Sequence, residues 1–205
     1  EHPRIITTMV LVFFIGTFGF NFAIILTAYT GRVFTGDSSL YGLLNSVMAV
    51  GSFVGALMAA RRVTVTQDLL TVMAALFGVV LIALSFAPTV PWFMALLAVC
   101  GFAGVGFNSM ANSTVQLEVD VAFRGRVMSL YFVVLMGTTP LGSLIVGWIT
   151  DHWGAPAALQ VSGGICLLAA LGCAWWVPAP RRRSIARGAS PDAAPQAAGR
   201  GVPLP

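Results

Sequence analysis

Lysine is absent from these 205 residues, and charged side chains of every kind make up only 9%, against about 25% in a soluble domain. All eleven basic residues are arginine, in a chain rich in Ala, Gly and Val; that usage fits a GC-rich, bacterial coding sequence. Cysteine is scarce and odd in number: Cys100, Cys166 and Cys173 lie scattered in apolar runs with no CxxC pair. This excludes a disulfide framework and a zinc site. The two histidines, His2 and His152, and the acids Asp37, Asp68, Asp120 and Asp151 all lie outside the apolar runs. An intramembrane hydrolase needs Ser with His, or paired Asp, within the membrane. The sequence therefore reads as a non-enzyme, with no cofactor and no metal. It opens on Glu1 rather than Met and lacks a basic-apolar-small leader pattern; the natural start is expected upstream.

Apolar length is what the chain has instead. Hydrophobic residues make up 58%, and the mean hydropathy of +0.89 calls for an apolar solvent. Six runs of 19 to 25 residues cover 5–29, 40–60, 69–87, 91–115, 127–150 and 156–177, none containing a charged residue. At 1.5 Å per residue the shortest reaches about 28 Å as a helix, close to the roughly 30 Å hydrocarbon core. The runs do not alternate as barrel strands do. The fold class expected is an all-α membrane protein with six transmembrane helices, its partner the lipid bilayer.

The connections sort the charges. One side holds Arg4, Arg61, Arg62, Arg124, Arg126, Arg181, Arg182, Arg183, Arg187 and Arg200; the other holds Arg32 alone. That ten-to-one bias predicts a multi-pass protein of the plasma (inner) membrane with both termini cytoplasmic. Trp92, Trp148 and Trp153 then fall near the outer interface, Trp175 and Trp176 near the inner one. Residues 1–4 read as a cytoplasmic linker remnant and 5–177 as the membrane domain. Residues 178–205, rich in Arg, Pro and Ala, cannot bury a core and read as a disordered cytoplasmic tail.

Polarity differs among the spans. Span three is almost wholly apolar, and span six has only Gln160 and Ser162 near one end. In span four, Asn108, Asn112 and Gln116 recur every four residues on one helix face. Amides are costly in hydrocarbon, so this face meets another helix or water. Asn108 and Asn112 suit either interhelical hydrogen bonds or the wall of a cavity for a polar substrate; Gln116, at the span's end, suits capping. In span one, Asn21 sits beside Phe22 mid-membrane, with Gly16 and Gly19 a turn earlier. Asn21 and Phe22 are candidates for a mixed polar and apolar ligand, and Asn21 equally for a helix–helix bond. Span two carries Asn45, another cavity candidate, and Gly51 and Gly55 in a GxxxG packing pattern. Span five carries Gly137, Thr138, Pro140 and Gly142. Pro140 removes a backbone donor and Gly137 relaxes the same turn, predicting a kink. Hydroxyls of Thr138 and Thr139 can satisfy the freed carbonyls, and Thr138 is a further cavity candidate.

The stretch "VDVAFRGRVMSLYF" (119–132) poses its own question. A phosphate loop needs several glycines leading into a helix, usually with Lys; a nucleic-acid site needs a wider basic face. Neither is present. Gly125 permits a turn between two spans, and Arg124 and Arg126 hold it on the basic side. Arginine at a helix start opposes the helix dipole, so partners are expected in Glu118, Asp120, lipid phosphate or another domain.

"SLYGLLNSVMAVGSFVGAL" (39–57) and "SLYFVVLMGTTPLGSLIVG" (129–147) both open on Ser-Leu-Tyr, about ninety residues apart, at spans two and five. These are the middle helices of two three-helix units inserted in opposite directions, an inverted repeat such as secondary transporters use. Residues 112–154 resemble the major facilitator superfamily, in particular its bacterial siderophore-exporter and secretion-effector type. The resemblance is carried by Gln116, Arg124, Gly125, Arg126, Val127, Gly137, Pro140, Gly142, Gly147, Asp151 and Gly154, with Asp120 where Pro is usual. Residues 41–62 resemble the group's eighth helix, with Ala59 and Ala60 where an acid usually precedes the basic pair Arg61 and Arg62.

The resemblance implies a C-terminal six-helix half of a twelve-helix transporter, working with an N-terminal six-helix half or a second copy. Spans one, two, four and five would line a central cavity, and three and six would face lipid. It further implies alternating access, a small-molecule substrate and protons as the coupling ion, with Arg61, Arg62, Gln116, Arg124, Gly125 and Arg126 at the cytoplasmic meeting of the halves as gating and topology residues. A non-transporting membrane scaffold or a truncated transporter remnant is the alternative.

Overall fold

The computed structural model describes residues 3–61 and 66–176. The described residues are helical, with no strand and six helical stretches long and apolar enough to cross a membrane. Span one is α1 (Pro3–Phe14), a π-helical turn (Ile15–Gly19), α2 (Phe22–Ala28) and a second π-helical turn (Tyr29–Val33). Spans two, three and four are α3 (Ser38–Ala60), α4 (Gln67–Ser85) and α5 (Val90–Glu118). Span five is α6 (Arg124–Gly137) and α7 (Thr139–Trp153), and span six is α8 (Ala155–Trp176). Arg62, residues 1–2, Val177 and the 178–205 tail lie outside the described residues.

Several helices run past the apolar runs and take in charged residues: α1 already begins at Pro3, α5 ends on Glu118, and α6 begins on Arg124. A helix of 29 residues such as α5 is about 44 Å long, which carries its ends beyond the hydrocarbon into the headgroup region. Local chemistry sets the starts. Asp37 caps α3 by accepting from the Ser39 and Leu40 N–H groups at 3.1 and 3.2 Å. Thr66 caps α4 through Leu69 N–H. Gly154, at φ +87°, makes the turn from α7 into α8.

Helix α5 is the spine, with α3 along one side and α4 along another; α4 also packs on α8, which reaches α7. The tight crossings use glycine. A Cβ at Gly51 would run into the Ala98 carbonyl oxygen, one at Gly55 into that of Phe102, and one at Gly101 into that of Met48. Thus α3 and α5 touch backbone to backbone, as the GxxxG pattern anticipates. Helices α4 and α8 do the same, with added Cβ atoms at Gly78 and Gly163 meeting backbone at 2.8 and 2.7 Å. Phe77, fully buried, wedges its ring against Gly19 and Gly104 and clusters with Phe20 and Phe22 at 5.8 and 6.2 Å. Span three, almost wholly apolar, has one face in the core (Leu70, Ala74, Phe77, Leu81, Leu84) and another outside (Val72, Val79).

Candidate functional site

Two spans are interrupted, and they are interrupted against each other. In span one the helical run breaks at Phe20 and Asn21, after the π-helical turn. Asn21 is buried, and its Nδ2 donates to the Thr17 carbonyl oxygen at 2.6 Å. The same carbonyl is where Gly142 of α7 crosses: a Cβ there would overlap it and lie 3.1 Å from Asn21 Nδ2. Asn21 thus satisfies its own helix at a crossing that a larger residue at 142 would force apart. Phe22, the other half of the proposed ligand pair, is buried in the Phe77 cluster.

Span five breaks at Thr138, between α6 and α7. Thr138 and Thr139 hydroxyls donate to the Val134 and Leu135 carbonyls at 2.7 and 2.9 Å, not to the Met136 carbonyl, the one that Pro140 leaves without its usual donor. Gly137 is exposed with ample room around it, and Pro140 is exposed beside it.

Span four's amides divide by depth. Asn108, half-buried, accepts at Oδ1 from the Tyr131 hydroxyl of α6 at 2.8 Å, the interhelical bond that the polar face allowed. Asn112, also half-buried, accepts from the Gln116 amide, which is exposed toward the basic end. On α3, half-buried Asn45 donates to the Tyr41 carbonyl oxygen at 3.0 Å. These bonds bring Asn108 together with Tyr131 and Asn112 with Gln116, while Asn21 and Phe22 sit apart in the packed core. Tyr131, fully buried, was not singled out from sequence. The available signal was a phenol in an apolar span, since a buried hydroxyl needs a partner.

Two ion pairs are present among the described residues. Arg4 donates to Glu118 at 2.7 Å, joining the start of span one to the end of span four; Arg32 donates to Asp151 at 3.0 Å, joining the far end of span one to the far end of span five. Glu118 is therefore engaged with Arg4 rather than with Arg124 or Arg126, a correction to the partners expected for the Arg-Gly-Arg turn. Arg124 and Arg126 are exposed and make no ion pair among the described residues. Gly125 between them lies in the first turn of α6 and not in the connecting turn, which is 121–123, and an added Cβ there would meet nothing within 4 Å. Arg61, exposed, closes α3. Bonds from the Ser39 hydroxyl and the Leu40 N–H hold the Asp37 carboxyl below its usual range. The described residues contain no group of three His, Cys, Asp or Glu that could hold a metal ion.

The family model of the Major Facilitator Superfamily matches residues 8–202. The chain is 32% identical over 111 residues to the multidrug efflux pump Tap of Mycobacterium tuberculosis (strain H37Rv), covering 54% of this chain and 25% of Tap. It is 26% identical over 153 residues to the staphyloferrin A transporter of Staphylococcus aureus, covering 71% of this chain and 36% of that protein. It thus spans between a quarter and about a third of the length of these curated relatives. No solved structure matches. Six apolar helical spans, polar groups confined to particular helix faces and a match over nearly the whole chain lead to one conclusion: this multi-pass membrane protein belongs to the Major Facilitator Superfamily.

Proposed function

We propose that the chain is a six-helix half of a secondary active transporter that exports small amphipathic molecules, drug- or siderophore-like, by alternating access coupled to protons. One observation carries this reading. Every span leaves some apolar side chains uncovered, but α3 and span five bury the smallest share of their length, leaving Val50, Phe53, Val54 and Leu57 of α3 and Leu130, Val133, Met136, Leu141 and Leu144 of α6 and α7 outside. The N-terminal six-helix half, or a second copy of this chain, covers these faces in the working protein. The cavity between the halves is lined from this side by Asn45, Asn108, Asn112 and Thr138, which are half-buried. The relatives, by name a multidrug efflux pump and a staphyloferrin A transporter, support the substrate class.

Both termini are cytoplasmic in this reading, with Arg61, Arg62, Arg124 and Arg126 holding the orientation and the gate. Dual reporter fusions at the C-terminus check the orientation: Arg124→Ala with Arg126→Ala lowers the cytoplasmic signal. Co-expression with the matching six-helix half, followed by dye efflux from proteoliposomes under a proton gradient, checks the activity. Gradient-dependent flux that falls in Asn112→Ala is expected. Absence of flux from the assembled pair favours a non-transporting scaffold or remnant.

A further inference from the structure

Helix α8 carries two adjacent glycines, and only the first is used. A Cβ at Gly163 would meet the Gly78 carbonyl oxygen of α4 at 2.7 Å, whereas one at Gly164 would meet nothing within 4 Å. Glycine gives up backbone entropy inside a helix. Tight packing on α4 accounts for it at Gly163, and no described neighbour does so at Gly164. The buried side of α8 holds Ala155, Ala158, Leu159, Ser162, Gly163 and Cys166. Gly164 lies on the opposite side, where helical period groups it with exposed Gln160, Leu168, Leu171 and Trp175.

Gln160 is the unsatisfied amide on that side. It makes no hydrogen bond to any described residue, while the half-buried or exposed amides of Asn45, Asn108, Asn112 and Gln116 are each bonded. Helix α8 has 22 residues and so is about 33 Å long, little more than the roughly 30 Å hydrocarbon core. Gln160 stands five residues past Ala155, the first of the helix. That places it about 7.5 Å along the axis, inside the apolar layer. An amide facing lipid there costs free energy until a partner supplies a donor and an acceptor.

We propose that this side of α8 is a self-association surface, at which Gln160 of one copy bonds Gln160 of a second copy across a two-fold axis along the membrane normal. Two reasons select a second copy as the occupant. A primary amide carries both donors and an acceptor, so two facing amides satisfy each other. Two copies inserted in the same direction also bring the same residue to the same depth, and a two-fold contact is made by one patch on both partners. Gly164, one turn on, lets the two backbones approach. Further along, Leu168, Leu171 and Trp175 are bulky and 69%, 55% and 94% exposed, so the paired helices are closest at Gln160 and Gly164 and splay toward the basic side. The surface lies on a different helix from the uncovered faces of α3 and span five, and leaves those faces free for the other half.

Cysteine crosslinking of the full chain in proteoliposomes tests this with no transport measured, so its failure leaves the transporter reading standing. Gly164→Cys is expected to form a disulfide-linked dimer on oxidation with copper phenanthroline, at several times the yield of Val79→Cys on the exposed face of α4. The native cysteines, two buried and one half-buried, set the background. Adding Gln160→Leu, which suits lipid, should lower the yield at matched lipid dilution by about threefold to tenfold, the size of one or two interhelical bonds. Gln160→Asn, which keeps an amide, should retain most of it. Energy transfer between donor- and acceptor-labelled copies with Gly164 intact should fall likewise in Gln160→Leu, which shows that the added cysteine does not create the contact. If Gly164→Cys crosslinks no better than Val79→Cys, the copies do not meet on this side and the proposal falls. If Gln160→Leu leaves yield and energy transfer unchanged, the amide joins no second copy and the proposal is wrong. If energy transfer falls in Leu57→Ala on α3 and not in Gln160→Leu, the copies meet on the α3 face instead, which overturns it as well.

Discussion

The crossing of α3 with α5 and the crossing of span one with α7 look alike at first. Each brings a glycine onto a carbonyl oxygen of the facing helix, Gly51 onto Ala98 and Gly142 onto Thr17. Yet α3 and α5 are unbroken through their contact, and it repeats a turn later at Gly55 and from the other side at Gly101. Span one and span five are both interrupted near theirs. The same small-residue chemistry therefore makes a weld in one place and a joint in the other. What separates them is whether the helices run unbroken through the contact; side-chain bonds to a carbonyl four residues back occur in both, from Asn21 in span one and from Asn45 in α3.

The weld should break hardest. Gly51→Ala places a methyl against backbone on a contact with no slack, and a loss of about 1–3 kcal/mol is expected from overpacking. Thermal unfolding in detergent reads it. Gly106→Ala, whose Cβ would sit in ordinary contact 3.7 Å from the Gly55 carbonyl oxygen, should leave the midpoint nearly unchanged. The joint should give more easily. Gly142→Ala is expected to cost about 1 kcal/mol, the lower end of the same range, because the interruptions beside it can shift, and to quicken amide exchange around 17–25. Its control is Gly147→Ala on the same helix, where the added carbon meets nothing within 4 Å; there helix propensity alone should leave stability equal or slightly higher. If Gly142→Ala proves as costly as Gly51→Ala, the distinction between weld and joint fails.

A smaller effect is expected of Tyr131→Phe, which removes the donor to Asn108 and should cost about 0.6 kcal/mol, the average of interhelical bonds in membranes. A double-mutant cycle with Asn108→Ala isolates it. The smallest effect is at Asp37. Its carboxyl is held below the usual range in the folded chain, so its capping contribution is complete above the ordinary carboxylate pKa. That contribution is lost as pH falls through the depressed folded value. Amide exchange in the first turn of α3 should quicken only at acid pH, and Asp37→Ala should abolish that pH dependence.

Much of this was legible in the residues. Apolar runs of membrane length announced the six spans, because burial of backbone in lipid permits little else. The GxxxG of span two marked where α3 meets α5 closely, and the Gly-Thr-Thr-Pro of span five marked where its helix is interrupted. The candidate site was less legible. Asn21 and Phe22 suited a ligand, and Asn21 equally a helix–helix bond; both are buried, and one sequence pattern serves a cavity wall and a helix crossing alike. Tyr131 was hidden because an aromatic in an apolar span looks like packing until its hydroxyl is seen to meet Asn108. The two ion pairs were hidden because their members are more than a hundred residues apart in sequence.

By itself, then, the sequence determined the medium, the number of spans, the basic side and the close-packing stripes, all of which follow from local composition and from helical period. Which polar group meets which, and which spans stay uncovered, were decided only in three dimensions. Hydropathy measures how much surface must leave water. It does not say whether lipid, a neighbouring helix or another domain will receive that surface.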